Sequence, residues 1–242
     1  MSCPIGMMEG MKLTRSTSKG TCSYCGGSYA KSAISRHLKA CQTRKEENDA
    51  PAGKGSGRGR ARSIFHLKVE AQYLSMYWLH IEIPAKATLE DLDHFLRAVW
   101  VECCGHLSSF DIAGETFISE VMEPGDRSLN VALDKVMAPG MAFEYIYDFG
   151  TSTELLITVV SDRVGYMKGA GAKIMARNDL PDLRCDVCGK PATGVCCVCS
   201  GESTGRVCDE CGKTHECGED MLLPVVNSPR MGMCGYTGGY CD

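Results

Sequence analysis

The hydrophobic positions between about residue 64 and residue 179 recur with the periods of strands and helices. The stretches IFHLKVEA, YWLHIEI, SSFDIAGETFIS, AFEYIYDFG and TELLITVVS read as strands, most of them alternating apolar with polar residues. The stretch TLEDLDHFLRAVWVE repeats its apolar residues at helical spacing, and Thr88 is a suitable N-cap. Together these elements predict one α+β domain of about 115 residues.

Aromatic residues alternate along one predicted strand. Phe143, Tyr145, Tyr147 and Phe149 fall on the same strand face, and we expect that face to pack into the core rather than to stack on nucleic-acid bases. The letters DFG at 148–150 also spell the metal-binding tripeptide of protein kinases. The other kinase motifs do not accompany it, so we interpret the tripeptide as a strand end and a turn.

A second type of pattern appears at 185–217, where eight cysteines and one histidine lie within thirty-three residues. The N-terminal sequence has no signal-peptide pattern, and no apolar run approaches the ~18 residues of a membrane span, so we expect a cytoplasmic protein without a membrane partner. Thiols stay reduced in that compartment. Paired Cys-x-x-Cys units near a histidine then indicate metal ligands rather than disulfides.

Three Cys-x-x-Cys pairs and one His-Cys pair supply enough ligands for two tetrahedral zinc ions. The candidate ligands are Cys185, Cys188, Cys196, Cys199, Cys208, Cys211, His215 and Cys217. Joining the first pair to the third, and the second to the fourth, gives each site a longer loop than sequential pairing. This spacing resembles the cross-brace of B-box and MYND-type fingers, which implies a protein-interaction module. Cys197 stands beside Cys196, and which of the two binds metal stays open, although only Cys196 precedes Cys199 by three residues.

A further metal site is predicted near the N-terminus. Cys22, Cys25, His37 and Cys41 have the form Cys-x-x-Cys, eleven residues, His-x-x-x-Cys, and KSAISRHLKA can form the helix that presents the last two. The pattern resembles the ββα zinc finger, with Cys in place of the final His. The positions that would contact bases in that family are occupied by Ala30, Ala33 and Arg36, so a sequence-specific DNA reader is not expected.

Positive charge is concentrated at the same end of the chain. Residues 1–63 hold twelve Lys and Arg against four Asp and Glu, a net charge of +8, whereas the whole chain carries −4. Within GKGSGRGRAR the candidates for phosphate contact are Lys54, Arg58, Arg60 and Arg62. A segment of this composition cannot bury a core and can lie along phosphates, but it is also typical of a solvated linker.

The sequence LEDLDHFLRAVWVECCGHLSSFDIAGETF, followed by FEYIYDFGTSTELLITV, resembles the plasmid ORF-3-like family, also labelled passenger proteins of a mobile element. The resemblance covers residues 64–165. The stretch MLLPVVNSPRMGMCGYTG resembles the segment that follows the zinc-binding region in fused members, which extends the resemblance over 183–238. It implies a small α+β domain fused to zinc-binding modules, and it implies no catalytic residues.

These observations predict four parts: a CCHC zinc finger at 1–45, a basic flexible linker at 46–63, an ORF-3-like α+β domain at 64–180 and a two-zinc cross-brace-like domain at 181–242. We expect three zinc ions. The leading hypothesis is a non-catalytic adaptor that contacts nucleic acid, with RNA or the ribosome favoured over a specific DNA site. The first alternative is a protein-interaction scaffold that binds a partner through the C-terminal zinc domain.

The second alternative is an enzyme. Cys103, Cys104 and His106 lie just past the predicted long helix, and a cysteine near a histidine is the minimum for nucleophilic catalysis. No orienting group can be identified in the sequence, so we expect a packed Cys pair and a partly exposed His instead. Cys234 and Cys241 have no defined partners and could contribute to a further metal site.

Overall fold

The structure is a computed structural model, and it describes residues 18–49, 61–167, 169, 171–200 and 205–239. The strands are β1 Lys19–Cys22, β2 Ser28–Ala30, β3 Arg62–Ala71, β4 Trp78–Pro84, β5 Ser108–Ile112, β6 Glu115–Ile118, β7 Arg127–Ser128, β8 Ala142–Tyr147, β9 Thr153–Gly165, β10 Lys173–Asn178, β11 Gly194–Cys196, β12 Arg206–Val207 and β13 Leu222–Pro224. The helices are α1 Lys31–Ala40, α2 Gln42–Asp49, α3 Leu89–Leu96, α4 Leu133–Val136 and α5 Asp209–Gly212, with a π-helical turn at Arg97–Val101 and a 3-10 turn at Glu219–Met221. Within these ranges, no helix combines the length and hydropathy that crossing a membrane requires.

In the described part of the chain, ten strands form one mixed sheet in the order β2-β1-β10-β4-β3-β9-β8-β5-β6-β7, in which β6 and β7 are parallel and the other neighbours antiparallel. A separate three-stranded antiparallel sheet has the order β12-β11-β13. The predicted α+β class is confirmed. The stretch predicted as a single strand at 108–119 is a hairpin of β5 and β6, because Ala113 and Gly114 both adopt positive φ and reverse the chain.

The main core lies between the large sheet and α3 with α4. Helix α3 begins after Thr88, whose side chain accepts from the main-chain N–H of Asp91 while Asp91 accepts from the N–H of Thr88, a complete capping box. The apolar face of α3 packs on the inward side chains of the sheet. Three of the four alternating aromatic residues are buried in this core, as expected. Phe149 is half exposed instead, because β8 ends at 147 and Asp148 turns the chain with a φ of 66°.

Strand β4 is buried on both faces, although its alternating sequence is typical of a strand with one face in water. Its odd-numbered residues Leu79, Ile81 and Ile83 pack into the main core. Its even-numbered residues are covered by the N-terminal hairpin and α1, and Trp78 packs there against Ile34 and Leu38. Strand β1 is hydrogen-bonded to β10, so the hairpin continues the large sheet. The sequence-based boundary between 1–45 and 64–180 is therefore crossed by a continuous sheet.

The covered face of β4 holds a buried polar cluster. The carboxylate of Glu82 is 2% exposed and accepts from Arg44 at 2.8 Å and from Arg163 at 2.7 Å. Desolvation acts to raise the pKa of Glu82, but hydrogen bonds from the two guanidinium groups lower it to about 2. Beside it, Nε2 of His66 lies 2.9 Å from Nδ1 of His80. The even-numbered side chains of β4 thus join the N-terminal helices to the sheet by charge as well as by packing.

The histidine pair makes stability depend on pH. Desolvation lowers the pKa of His66 to about 4 and that of His80 to about 3, so both are neutral in the folded protein near pH 7. The unfolded chain takes up these protons near its ordinary pKa of about 6.5, so the free energy of unfolding should fall as the pH drops from about 6.5 to about 4.

We expect His66→Gln to reduce this loss, because the variant removes one of the two shifted groups. His94→Gln, which changes an exposed histidine, is the matched control and should leave the pH dependence as it is. The measurement is urea unfolding at about pH 7 and about pH 5. If His66→Gln has the same pH dependence of stability as the wild type, the buried histidine pair is not its cause.

Candidate metal centres

Four groups of Cys and His side chains meet in the described part of the chain, and within each group the candidate ligand atoms all lie within 4.8 Å of one another. A tetrahedral zinc ion with ordinary bond lengths would hold two sulfurs about 3.8 Å apart and a sulfur and a nitrogen about 3.6 Å apart. The sulfur–sulfur separations recorded within the groups are 3.6–3.7 Å, and the sulfur–nitrogen separations are 3.1–3.6 Å. These sulfurs are too far apart for disulfide bonds of about 2.05 Å, and the spacing suits one metal ion per group.

The first group, called the finger site, consists of Cys22, Cys25, His37 and Cys41. Strand β1 ends at Cys22, helix α1 carries His37, and Cys41 is the C-cap whose N–H donates to the His37 carbonyl at 2.7 Å. Gly26 closes the Cys-x-x-Cys turn with a φ of 69°, and its N–H donates to the Cys22 carbonyl at 2.9 Å. The ring of Tyr29 stacks on His37 with centroids 3.7 Å apart. The structure therefore brings together the four ligands predicted from spacing.

Two further groups lie in the C-terminal module, residues 183–225. The first cross-brace site consists of Cys185, Cys188, Cys208 and Cys211, and the second of Cys196, Cys199, His215 and Cys217. In the first site the sulfurs of Cys188 and Cys208 are 3.6 Å apart. In the second, Cys199 Sγ lies 3.6 Å from His215 Nε2 and 3.7 Å from Cys217 Sγ. The first Cys-x-x-Cys pair thus meets the third, and the second meets the His-Cys pair, as the predicted interleaving requires.

Main-chain geometry favours the thiolate form of one cysteine at each cross-brace site, whereas side-chain hydrogen bonds with neighbouring thiols raise the pKa of Cys199 and of Cys211 to about 12. Desolvation acts to raise the pKa of Cys185, but the main-chain N–H groups of Cys188 and Cys208 donate towards its sulfur and the pKa falls to about 6. The pKa of Cys196 falls to about 7, because the N–H of Cys199 and the ring of His215 outweigh desolvation in the same way. The thiolate is the form that binds metal, so the folded backbone prepares these cysteines for it.

The fourth group, called the tail site, consists of Cys103, Cys104, His106 and Cys234. The first three follow the π-helical turn after α3, and Cys234 comes from the chain beyond the C-terminal module. Cys104 Sγ lies 3.1 Å from His106 Nε2 and 3.6 Å from Cys234 Sγ. The sequence indicates Cys103, Cys104 and His106 as one candidate cluster and Cys234 as a separate candidate ligand. It does not indicate that they meet, because 130 residues separate Cys104 from Cys234.

The remaining candidates lie elsewhere. Cys197 lies outside all four groups, with its sulfur 4.0 Å from Sδ of Met221, so Cys196 rather than Cys197 joins the second cross-brace site. Arg62 donates to the carbonyl oxygens of Met167 and Gly169. Outside the described residues are Lys54, Arg58, Arg60 and Cys241.

The fold and these groups define an α+β protein with four Cys/His clusters that could hold metal ions. Residues 63–170 match the family model described as plasmid pRiA4b ORF-3-like protein, which confirms the expected ORF-3-like domain over this range. Among solved structures, the chain is similar to a protein of unknown function from Methanosarcina mazei Go1, at 18% identity and a TM-score of 0.40, over 48% of this chain and 68% of that chain. The curated proteins contain no match to this chain.

Proposed function

We propose that the protein is a non-catalytic zinc-binding adaptor that contacts nucleic acid through its basic N-terminal residues. The closed donor sets carry this proposal: each of the four clusters offers four protein ligands. Structural zinc sites have four protein ligands, whereas catalytic sites keep a position open for water or substrate. Thiolate-rich sets with tetrahedral spacing also favour zinc over harder cations such as Mg²⁺ or Ca²⁺.

The proposed nucleic-acid contact is made to phosphates rather than to bases. Lys31, at the start of α1, donates to the carbonyl of Ser75 at 2.6 Å and pairs with Glu70 at 2.9 Å. The end of the helix that reads bases in ββα fingers is thus occupied by contacts with the central domain, the region of β3 to β10. The net charge of +8 in residues 1–63 supports non-specific phosphate binding, for which RNA is the favoured partner.

The test compares two triple variants of the full-length protein that lose the same charge. Lys54→Gln, Arg58→Gln and Arg60→Gln neutralise the basic segment, and the control neutralises the exposed Lys135, Lys190 and Lys213 instead. We expect the wild type to bind a short labelled single-stranded RNA with a log–log salt slope of about −3 to −4, as for roughly four to six phosphate contacts. The basic-segment variant should lose about tenfold or more in affinity at low salt and about 2 in the magnitude of the slope, and the control should lose little of either.

Equal losses of affinity in the two variants, or an affinity that does not change with salt concentration, would contradict the proposed contact.

A second candidate, a protein-interaction scaffold, is favoured by one observation on the C-terminal module. Val187 and Val198 lie inside two Cys-x-x-Cys turns and are 72% and 61% exposed. Exposed apolar side chains on turns that metal would hold rigid suit a protein contact.

A further inference from the structure

We infer that the tail site is a fourth structural metal site, which takes a zinc-class ion and fastens the C-terminal segment of the chain to the central domain. Its donor set, three cysteines and one histidine, is the same as that of the finger site. The sulfurs of Cys103 and Cys104 are 3.7 Å apart, and His106 Nε2 lies 3.3 Å from Cys234 Sγ. These separations approach the tetrahedral values of about 3.8 Å and about 3.6 Å.

The central domain holds the loop that carries its three donors mainly through main-chain hydrogen bonds. Arg97 donates to the His106 carbonyl at 2.8 Å, and the N–H of Gly105 donates to Glu102 at 2.6 Å. The hydroxyl of Tyr147 accepts from the N–H of His106 at 3.4 Å, and its ring meets the imidazole edge-on. These outer-shell hydrogen bonds fix the loop, and such bonds orient the ligands of metal sites.

The fourth donor is delivered by a segment that is itself locked to the central domain. Arg230 is fully buried and donates to Asp148 at 2.6 Å, and its guanidinium lies 3.5 Å from Cys103 Sγ. Ser228 donates to the carbonyl of Trp100 in the π-helical turn at 2.6 Å. Oδ2 of Asp148 also lies 3.4 Å from Nε2 of His106, but the same oxygen forms the shorter ion pair with Arg230. We therefore assign Asp148 a position beside the metal rather than among its ligands.

The backbone of Cys234 provides an independent observation. Its φ is 46°, in the left-handed region that side-chain-bearing residues seldom adopt. A strained residue of this kind persists where the surrounding structure requires it, and such residues cluster at ligand sites. In this conformation the sulfur points at Cys104 and His106. The residue lies in a tight turn, in which Gly235 also has a positive φ and the N–H of Tyr236 donates to the Met233 carbonyl at 2.9 Å, and this turn directs the exposed cysteine towards the other donors.

The competing interpretation of the same geometry is a reactive cysteine, because Cys104 Sγ and His106 Nε2 are within 3.1 Å of each other. Thiol reactivity separates the two in the unmodified full-length protein. Cys104 and Cys234 are exposed, whereas Cys197 lies outside every cluster and is less exposed. Free thiols of similar thiolate content should react in the order of their exposure, an activated thiolate should react faster still, and a metal-bound thiolate should be protected.

The first experiment alkylates the zinc-loaded protein with iodoacetamide and follows each cysteine by mass spectrometry. We expect Cys104 and Cys234 to react about tenfold or more slowly than Cys197 in the zinc-loaded protein, and each of the two to react about tenfold or more faster than before once a chelator is added. Reaction of either residue at the rate of Cys197 or faster in the zinc-loaded protein would overturn the inference. This test requires no substitution, so it does not depend on a variant that folds.

The second experiment compares Cys104→Ser with the control Cys197→Ser. Cys104→Ser should lose one equivalent of zinc, and hydrogen exchange should quicken in the segment 231–239, which is far from position 104 in sequence. Cys197→Ser should change neither quantity. Equal zinc content and equal exchange in the two variants would overturn the inference. The nucleic-acid contact proposed above rests on other residues, so either idea can fail without the other.

Discussion

Removing metal from the purified full-length protein should unfold the C-terminal module while the centre of the large sheet stays folded. Among the described residues, the hydrophobic cluster of that module has three buried members, of which Cys185 and Cys208 are themselves candidate ligands and Val207 is the third. So small a core cannot hold the chain in place, and each structural zinc ion contributes on the order of 10 kcal/mol to folding. The central domain has an extensive apolar core of its own, on the inward face of β3, β4, β8 and β9.

Hydrogen exchange measured with and without a chelator checks this expectation. Residues 183–200 and 205–225 should lose their protection in the chelator, whereas β3, β4 and β9 should keep most of theirs. Adding back Zn²⁺ should restore protection in the C-terminal module, and adding Mg²⁺ should not, because thiolate ligands select the softer ion. Equal loss of protection in the module and in the central strands would contradict the expectation.

Replacing Arg230 by methionine should destabilise the central domain by about 3–5 kcal/mol, the usual cost of removing one partner of a buried ion pair. Arg230 is 0% exposed and Asp148 is 6% exposed, so the remaining carboxylate would be left without its cation away from water. The guanidinium also donates to the carbonyl of Thr151 at 2.5 Å, which the variant would leave unbonded.

Urea unfolding in the presence of zinc, followed by tryptophan fluorescence, measures this effect, since Trp78 and Trp100 are both fully buried in or against the central domain. The matched control is the same substitution in an Asp148→Asn background, where no charge is stranded; there the cost should be smaller by about 1–3 kcal/mol. Asparagine tolerates the positive φ of position 148. A cost below about 1 kcal/mol for Arg230→Met alone would show that the ion pair is not what holds the tail.

Local signals in the sequence predict the local parts of this fold well. The run from Thr88 carries its own N-cap and apolar face, and it forms α3 with the capping box in place. The interleaving of the cross-brace ligands also follows from short-range spacing, because sequential pairing would leave only three residues between the halves of one site. Periods of two and 3.6 residues, and the reach of a short loop, are properties that a single stretch of chain contains.

The parts that the sequence does not predict depend on contacts between distant segments. The polar positions His80 and Glu82 indicate a water-facing side of β4, yet the N-terminal helices cover them and Arg44 neutralises Glu82. Nothing in the local pattern indicates that a hairpin 60 residues earlier would cover that face. The tail site is a similar case, since Cys104 and Cys234 become partners only when the segment after the C-terminal module returns to the central domain.

The predicted α+β domain at 64–180 has an apolar pattern of its own, and we therefore expect these residues to fold alone without metal. That prediction stays open, but a fragment with those ends would leave Trp78 without its cover from α1 and Asp148 without Arg230. The full-length protein in chelator is therefore the cleaner test of whether the central domain is stable without metal.

The most direct test of the central claim, that metal ions hold this protein together at Cys/His clusters, is the zinc content of the full-length protein purified without chelator. We predict four equivalents per chain, one for each cluster. Three equivalents, with Cys104 and Cys234 freely reactive, would remove the tail site and leave the three sites predicted from spacing. One equivalent or none, in protein that is folded by hydrogen exchange, would contradict the claim.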